Sequence, residues 1–178
     1  LISYKSDGND GYTIRSYGRT TASGSLIDMF DGSTKQVQDV EVGDIVKSYW
    51  PDNMSLSDID YMDYTNTELT GSFSGSIVVG ISQDERSEYY LLNGTKKLSK
   101  MNSKSSDSNY FVKSGDTWSW KKTRDISVGN YLLQGDGTEL EVTSLTEETE
   151  TTTFYSLDVE DIDTYFQSDI LVHNIPKR

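Results

Sequence analysis

Apolar and polar positions alternate along this chain in short bursts and never settle into a helical period. Residues 12–17 read Tyr-Thr-Ile-Arg-Ser-Tyr, and residues 44–50 read Asp-Ile-Val-Lys-Ser-Tyr-Trp. Short alternation rich in β-branched and aromatic side chains marks a half-buried strand. The same pattern predicts strands at 25–30, 76–81, 88–92, 109–113, 118–120, 131–133, 140–145, 152–159 and 170–173. Asn93-Gly94 follows one of them, and this dipeptide accepts the left-handed backbone of a tight hairpin. Residues 55–68 come nearest to a short helix, but their Asp and Thr are weak helix formers. Many short strands with regular turns predict an all-β fold.

One internal repeat organises the pattern. Asp39-Val40-Glu41-Val42-Gly43-Asp44-Ile45-Val46 recurs as Asp125-Ile126-Ser127-Val128-Gly129-Asn130-Tyr131-Leu132, an offset of 86 at every position. Each copy leads through a glycine into a strand, and that glycine is expected to hold a backbone angle other residues resist. Two copies so far apart predict two related halves, not a solenoid.

Composition bounds the chemistry. The chain's 178 residues suit one domain. It has no Cys and one His, which excludes disulfides, thiol nucleophiles and a multi-His metal centre. No cofactor is expected. The net charge of −13 repels a phosphate backbone, and the basic run from Lys96 to Lys104 reads as a solvated loop, so nucleic-acid binding is disfavoured. No apolar run approaches the ~20 residues of a membrane-spanning helix. The chain opens on Leu1 without a basic, signal-like segment, and the expectation is a piece of a longer protein.

Several clusters have a plain reading beside a functional one. Residues 7–11, Asp-Gly-Asn-Asp-Gly, are turn chemistry and lack the closing Glu of a calcium loop. Asp58, Asp60 and Asp63 read as a solvated acidic loop, and Glu147, Glu148 and Glu150 as a solvated hairpin end. Trp118 and Trp120 alternate across Ser119 and so face one side of a strand, where core packing outweighs an exposed binding strip.

Residues 24–46 (Gly-Ser-Leu-Ile-Asp-Met-Phe-Asp-Gly-Ser-Thr-Lys and on through Val-Gly-Asp-Ile-Val) are similar to the N-terminal block of the Hint domain of inteins and hedgehog-type autoprocessing proteins. Residues 154–161, Tyr165-Phe166 and residues 170–174 (Ile-Leu-Val-His-Asn) resemble its C-terminal blocks. The resemblance spans residues 20–174 and leaves 1–19 and 175–178 as flanking host segments. It implies the pseudo-two-fold all-β Hint fold.

It also implies a set of site positions. Thr20 falls at the start position, where the family uses Cys or Ser; Thr21 and Ser23 fit the spacing less well. Thr is a weak nucleophile, un-ionised near neutral pH and crowded by its branched Cβ. Met101 and Lys104 stand where a Thr and a His would polarise the first scissile amide. Asp163 matches an assisting position, and His173 and Asn174 match the pair that cyclises to cut the last junction. Ile175 follows, and its side chain has no nucleophile for ligation.

The expectation is therefore a catalytically degenerate Hint domain, serving as a structural or interaction module of a larger protein in a phage virion or tail. The alternative is an autoprocessing domain that retains only asparagine-cyclisation cleavage between Asn174 and Ile175. Partners are expected to be proteins of the same assembly, including further copies of the chain, with no nucleic acid and no membrane. The location that follows is a virion, or otherwise the soluble cytoplasm.

Overall fold

The two copies of the repeat fold alike. Each begins in one 3-10 turn, Val37–Asp39 and Thr123–Asp125. Val40 N–H closes the first onto Val37 O and Ile126 N–H closes the second onto Thr123 O, both at 3.2 Å. Gly43 and Gly129 follow with φ of 99° and 93°, a region where a Cβ collides with backbone. Their N–H groups donate to Val78 O at 2.8 Å and Val142 O at 2.9 Å. Asp44 Oδ2 accepts from Glu41 N–H at 2.9 Å, and Asn130 Oδ1 accepts from Ser127 N–H at 2.8 Å. The sequence offset is thus a pseudo-two-fold relation: one turn and one side-chain lock, built twice.

The computed structural model describes residues 2–6, 12–16, 20–54, 60–100, 108–161 and 163–174. In chain order the strands are β1 (Ile2–Ser6), β2 (Tyr12–Ser16), β3 (Thr21–Ala22), β4 (Leu26–Asp28), β5 (Thr34–Gln36), β6 (Ile45–Pro51), β7 (Thr65–Asn66) and β8 (Gly71–Leu92). Then come β9 (Lys96–Ser99), β10 (Asn109–Ser114), β11 (Thr117–Lys122), β12 (Tyr131–Leu133), β13 (Glu139–Glu141), β14 (Leu145–Val159), β15 (Thr164–Gln167) and β16 (Ile170–His173). One sheet runs β13-β12-β10-β16-β15-β4-β5, with β11 and β7 branching from β10; a second runs β14-β3-β9-β8-β6, and β14 also pairs with β8. β1 pairs with β2.

β8 joins two predicted strands into one of 22 residues. The gap between them, residues 82–87, has no large apolar side chain, which hid the strand. Alternation persists there: Gln83, Glu85 and Ser87 are exposed while Arg86 is buried, held by Asp84 Oδ1 at 3.1 Å and Lys100 O at 3.0 Å. β14 runs antiparallel to β8 from Leu145↔Leu92 to Val159↔Val78, with register shifts between Thr149 and Thr152 and between Asp158 and Val159. Asn93 (φ 52°) and Gly94 (φ 73°) make the predicted turn, closed by Thr95 N–H on Leu92 O at 3.1 Å.

Three readings change. Glu147 and Glu150 sit inside β14 instead of at a hairpin end, because the exposed Thr/Glu stretch still pairs with β8. Glu147 meets Lys100 at 3.1 Å, and Glu150 accepts from Tyr89 Oη at 3.0 Å and Lys97 at 3.3 Å. Lys96 and Lys97 belong to strand β9, not a loop, and Lys100 is paired with Glu88 as well as Glu147. The described part of residues 55–68 is a 3-10 turn, Asp60–Asp63, followed by β7, not an α-helix. Residues 7–11, Asp58 and the side chain of Asp60 lie outside the described residues. Among the described residues no group of three His, Asp or Glu could hold a metal ion, and no helix is long and apolar enough to cross a membrane.

The core has an aliphatic and an aromatic part. Ile27, Val46, Val78, Leu98, Leu157 and Val172 belong to the first. Tyr49, Tyr61, Phe111, Trp118, Trp120 and Phe166 belong to the second. Trp118 and Trp120 are buried as expected, with ring centroids 5.0 and 4.9 Å from that of Phe111. This aromatic cluster forms the wall behind the site.

Candidate functional site

Alternate carbonyls of a strand point to the same side. β14 presents those of Thr153, Tyr155 and Leu157 along the edge it shares with β3. Ser23 N–H takes the first at 2.8 Å, the Thr20 hydroxyl reaches the second at 3.5 Å, and Asn174 Nδ2 donates to the third at 2.6 Å. β3 is two residues long, so it runs out beside Tyr155 and the Asn174 side chain continues the ladder. Carbonyls two residues apart on a strand are about 6.5–7 Å apart. Thr20 and Asn174, both fully buried, thus hang from neighbouring positions on one edge.

Thr20 is enclosed by hydroxyls. Its Oγ1 is in short contact with Tyr165 Oη and lies 3.1 Å from Thr21 Oγ1, which is itself 3.1 Å from Tyr165 Oη. Tyr110 Oη donates to Thr20 O at 3.4 Å and accepts from Gln167 Nε2 at 3.0 Å. Burial pushes the Tyr165 phenol above its usual 10, against the opposing pull of Thr20, Thr21 and the Leu157 backbone. The phenol therefore stays protonated and cannot serve as a base for the Thr20 hydroxyl near neutral pH.

Asn174 is enclosed differently. Its N–H donates to Asp163 O at 2.7 Å, and its Oδ1 accepts from Ser156 Oγ at 2.7 Å. Its own carbonyl oxygen lies 2.6 Å from His173 Nδ1. A carbonyl only accepts, so Nδ1 carries the proton. The imidazole stacks on the Tyr61 ring at 3.7 Å and 9°, and meets the Trp120 ring edge-on at 5.1 Å. Asn109 pairs with His173 across β10 and β16, and its Nδ2 donates to Tyr61 Oη at 2.5 Å.

The structure brings Thr20, His173 and Asn174 to one place. Asp163 joins them through its backbone carbonyl, in a left-handed turn with φ of 38°. Met101 and Lys104 lie outside the described residues. Sequence reasoning missed Tyr61, Asn109, Tyr110, Ser156 and Tyr165. Ser156 and Tyr165 stand inside the segments that carried the family resemblance, so their place in the blocks was a usable signal. Tyr61 comes from a segment without alternation, and no local pattern marks it.

A groove of about 620 Å³ lies apart from this site, lined by Ser23, Leu26, Asp28, Lys96, Lys97 and Asp169 among others. Burial raises the Asp28 carboxyl above its usual value, and the nearby Asp169 charge adds to the rise.

No family model and no curated protein matches the sequence. Solved structures do match the fold. A bacterial intein-like domain from Clostridium thermocellum superposes with a TM-score of 0.66 at 20% identity, covering 88% of this chain and 99% of that one. A DnaB intein from Synechocystis gives 0.60 at 15% identity, covering 87% and 97%. The gp41-1 intein gives 0.57 at 15% identity, covering 89% and 100%. The repeat, the sheet order and these superpositions agree: the chain has the all-β Hint fold of inteins.

Proposed function

We propose that this chain is an intein-like domain whose remaining covalent chemistry is confined to its C-terminal end: cleavage after Asn174 by asparagine cyclisation. The observation that carries this reading is the 2.6 Å contact of His173 Nδ1 with the Asn174 carbonyl oxygen. That carbonyl is the electrophile of the reaction, and an N–H aimed at it stabilises the negative charge that develops there. Asn174 Nδ2 attacks the carbonyl carbon, the bond to Ile175 nitrogen breaks, and the proton lost from Nδ2 ends on the released amine. The products are a succinimide at residue 174 and a free Ile175 amine. Ser156 Oγ, donating to Asn174 Oδ1, favours loss of that proton by drawing charge onto Oδ1.

At the other end, the acyl shift that a hydroxyl nucleophile would start lacks parts. The Thr20 hydroxyl is un-ionised and tied to Tyr165, with no base beside it among the described residues that Thr20 is bonded to. Ile175 offers no acceptor for transfer, so cleavage without ligation is the outcome this set of side chains favours.

A second reading has one observation behind it. Asn174 Nδ2 is held by Leu157 O at 2.6 Å while Oδ1 is held by Ser156, a clamp that favours a locked, inert module of a larger protein. The full chain, incubated at neutral pH and sampled over days beside Asn174→Ala, separates the two. Loss of the segment after Asn174 in the wild type alone supports cyclisation. An intact wild type that matches Asn174→Ala supports the inert module.

A further inference from the structure

One stretch of β8 carries apolar side chains on its exposed face, although Val78 within it is buried in the core. Between Phe73 and Ile81 the outward positions are Phe73, Gly75, Ile77, Val79 and Ile81, while Ser74, Ser76 and Ser82 are more covered. Phe73, Ile77 and Val79 keep 42%, 42% and 44% of their surface in water. A strand with one wet face normally puts its polar side chains there. The neighbouring elements extend the strip. Ile45 lies opposite Ile77, and the Phe30 ring lies over Gly75, where a Cβ would come within 2.8 Å of it and of Ile45. Ile45 and Phe30 are themselves exposed.

Charge follows the same outline. Residues 69–83 contain no Asp, Glu, Lys or Arg, in a chain with 29 acidic and 16 basic residues. Depletion of charge marks the centre of an interface. The β6 side of this face carries one cation, Lys47 opposite Gly75, whose Nζ sits 4.6 Å from the Phe73 ring centroid.

We propose that this face of β6 and β8 is a homodimer interface, with the strip of one copy packed against that of another. The outward apolar side chains expose on the order of 500 Å² together, close to the apolar share of the ~800 Å² that a standard interface takes from each partner. The strip is a run of similar side chains along one strand, so it complements itself across a two-fold axis as a closed dimer requires. Two sheets meeting this way pack face to face with strands crossing at about 30°. Phe73, backed by the Tyr49 and Phe166 rings at 4.9 and 6.0 Å, is a rigid anchor at one end.

Sedimentation equilibrium of the full chain tests this, with the double variant Ile77→Glu/Val79→Glu and the milder Ile77→Thr alongside. Both positions are exposed in the monomer, so the fold survives, as circular dichroism would verify. The wild type is expected to sediment as twice its 20.0 kDa mass at micromolar concentration. Facing carboxylates in the double variant are expected to weaken the dimer on the order of 100-fold or more, and Ile77→Thr by about 10-fold. A wild type that stays at 20.0 kDa up to about 100 µM overturns the proposal, including the case where another part of the chain or a different protein covers the strip. A double variant as dimeric as the wild type overturns it as well, because the contact then lies elsewhere.

Discussion

Thr20 and Asn174 hang from the same strand edge, yet their surroundings ask different things of them. Thr20 has its hydroxyl turned into a cluster of protonated hydroxyls, Tyr165 and Thr21, and its carbonyl touched by Tyr110. Those contacts hold a side chain still. Asn174 has its carbonyl oxygen on an imidazole N–H and its side-chain amide bonded at both ends. Those contacts also polarise a particular peptide carbonyl. Among the described residues, the donor at the Asn174 end points at a peptide carbonyl whose bond could break, while the contacts at the Thr20 end hold that residue's own hydroxyl and carbonyl. The fold explains the placement, and only the side chains decide the chemistry.

The largest effect that would break this contrast concerns the imidazole. His173→Gln is expected to slow cleavage after Asn174 by about 10²–10³-fold, the range for losing a donor at a developing oxyanion. Thr20→Ala is expected to leave that cleavage nearly unchanged. Intact-mass time courses read both. Equal losses in the two variants would mean that the ends act as one unit.

Tyr61 sharpens the same comparison. It stacks on His173, and its hydroxyl accepts from Asn109 Nδ2. Tyr61→Phe keeps the stack and loses the hydroxyl that Asn109 holds, so cleavage is expected to change little. Tyr61→Leu frees the ring and is expected to slow cleavage about 10-fold, as misplacing a catalytic group does. The His173 Nδ1–H resonance in an NMR spectrum should also weaken in Tyr61→Leu, whether or not the chain cleaves.

Much of this was legible in the residues. Asn93-Gly94 announced its turn, the repeat announced the two halves, and His173-Asn174 marked one end of the candidate site. Each is a local feature whose meaning is carried by neighbours in sequence. The unmarked parts are those set by distant strands. Residues 82–87 are a strand because β14 pairs with them, although their side chains are polar. Tyr61 stacks on His173 because a 3-10 turn is carried against β11, which no periodicity encodes. Tyr165 reaches Thr20 across 145 positions of sequence.

Tyr165→Phe probes the quiet end. Removing the hydroxyl leaves Thr20 and Thr21 with one fewer buried partner, at a cost of about 1–2 kcal/mol in denaturant unfolding. The folded phenol holds its proton above the usual 10, so wild-type stability falls as pH rises past that value, when only the unfolded chain ionises freely. The variant should lose less stability in alkali than the wild type, the remaining loss coming from Tyr49 and Tyr89, whose phenols burial also raises. An identical pH profile in the two proteins would remove the phenol from the account.

The smallest effect lies outside both ends. The folded Asp28 carboxyl holds its proton more tightly than the unfolded one, so its contribution is favourable in acid and is lost as pH rises above 3.8. Asp28→Asn is therefore expected to raise Tm by about 1–2 °C at pH 7 and to change nothing near pH 3. Cleavage after Asn174 should not respond, since the groove is separate from the site.

The contrast between the two ends is tested most directly by embedding residues 20–174 between two inert, well-folded flanking proteins and weighing every product by mass spectrometry. The account predicts one break, after Asn174, with a succinimide or its hydrolysis product at the new end, and an uncut bond before Thr20. Breaks at both bonds, or a ligated product of the two flanking proteins, would contradict it.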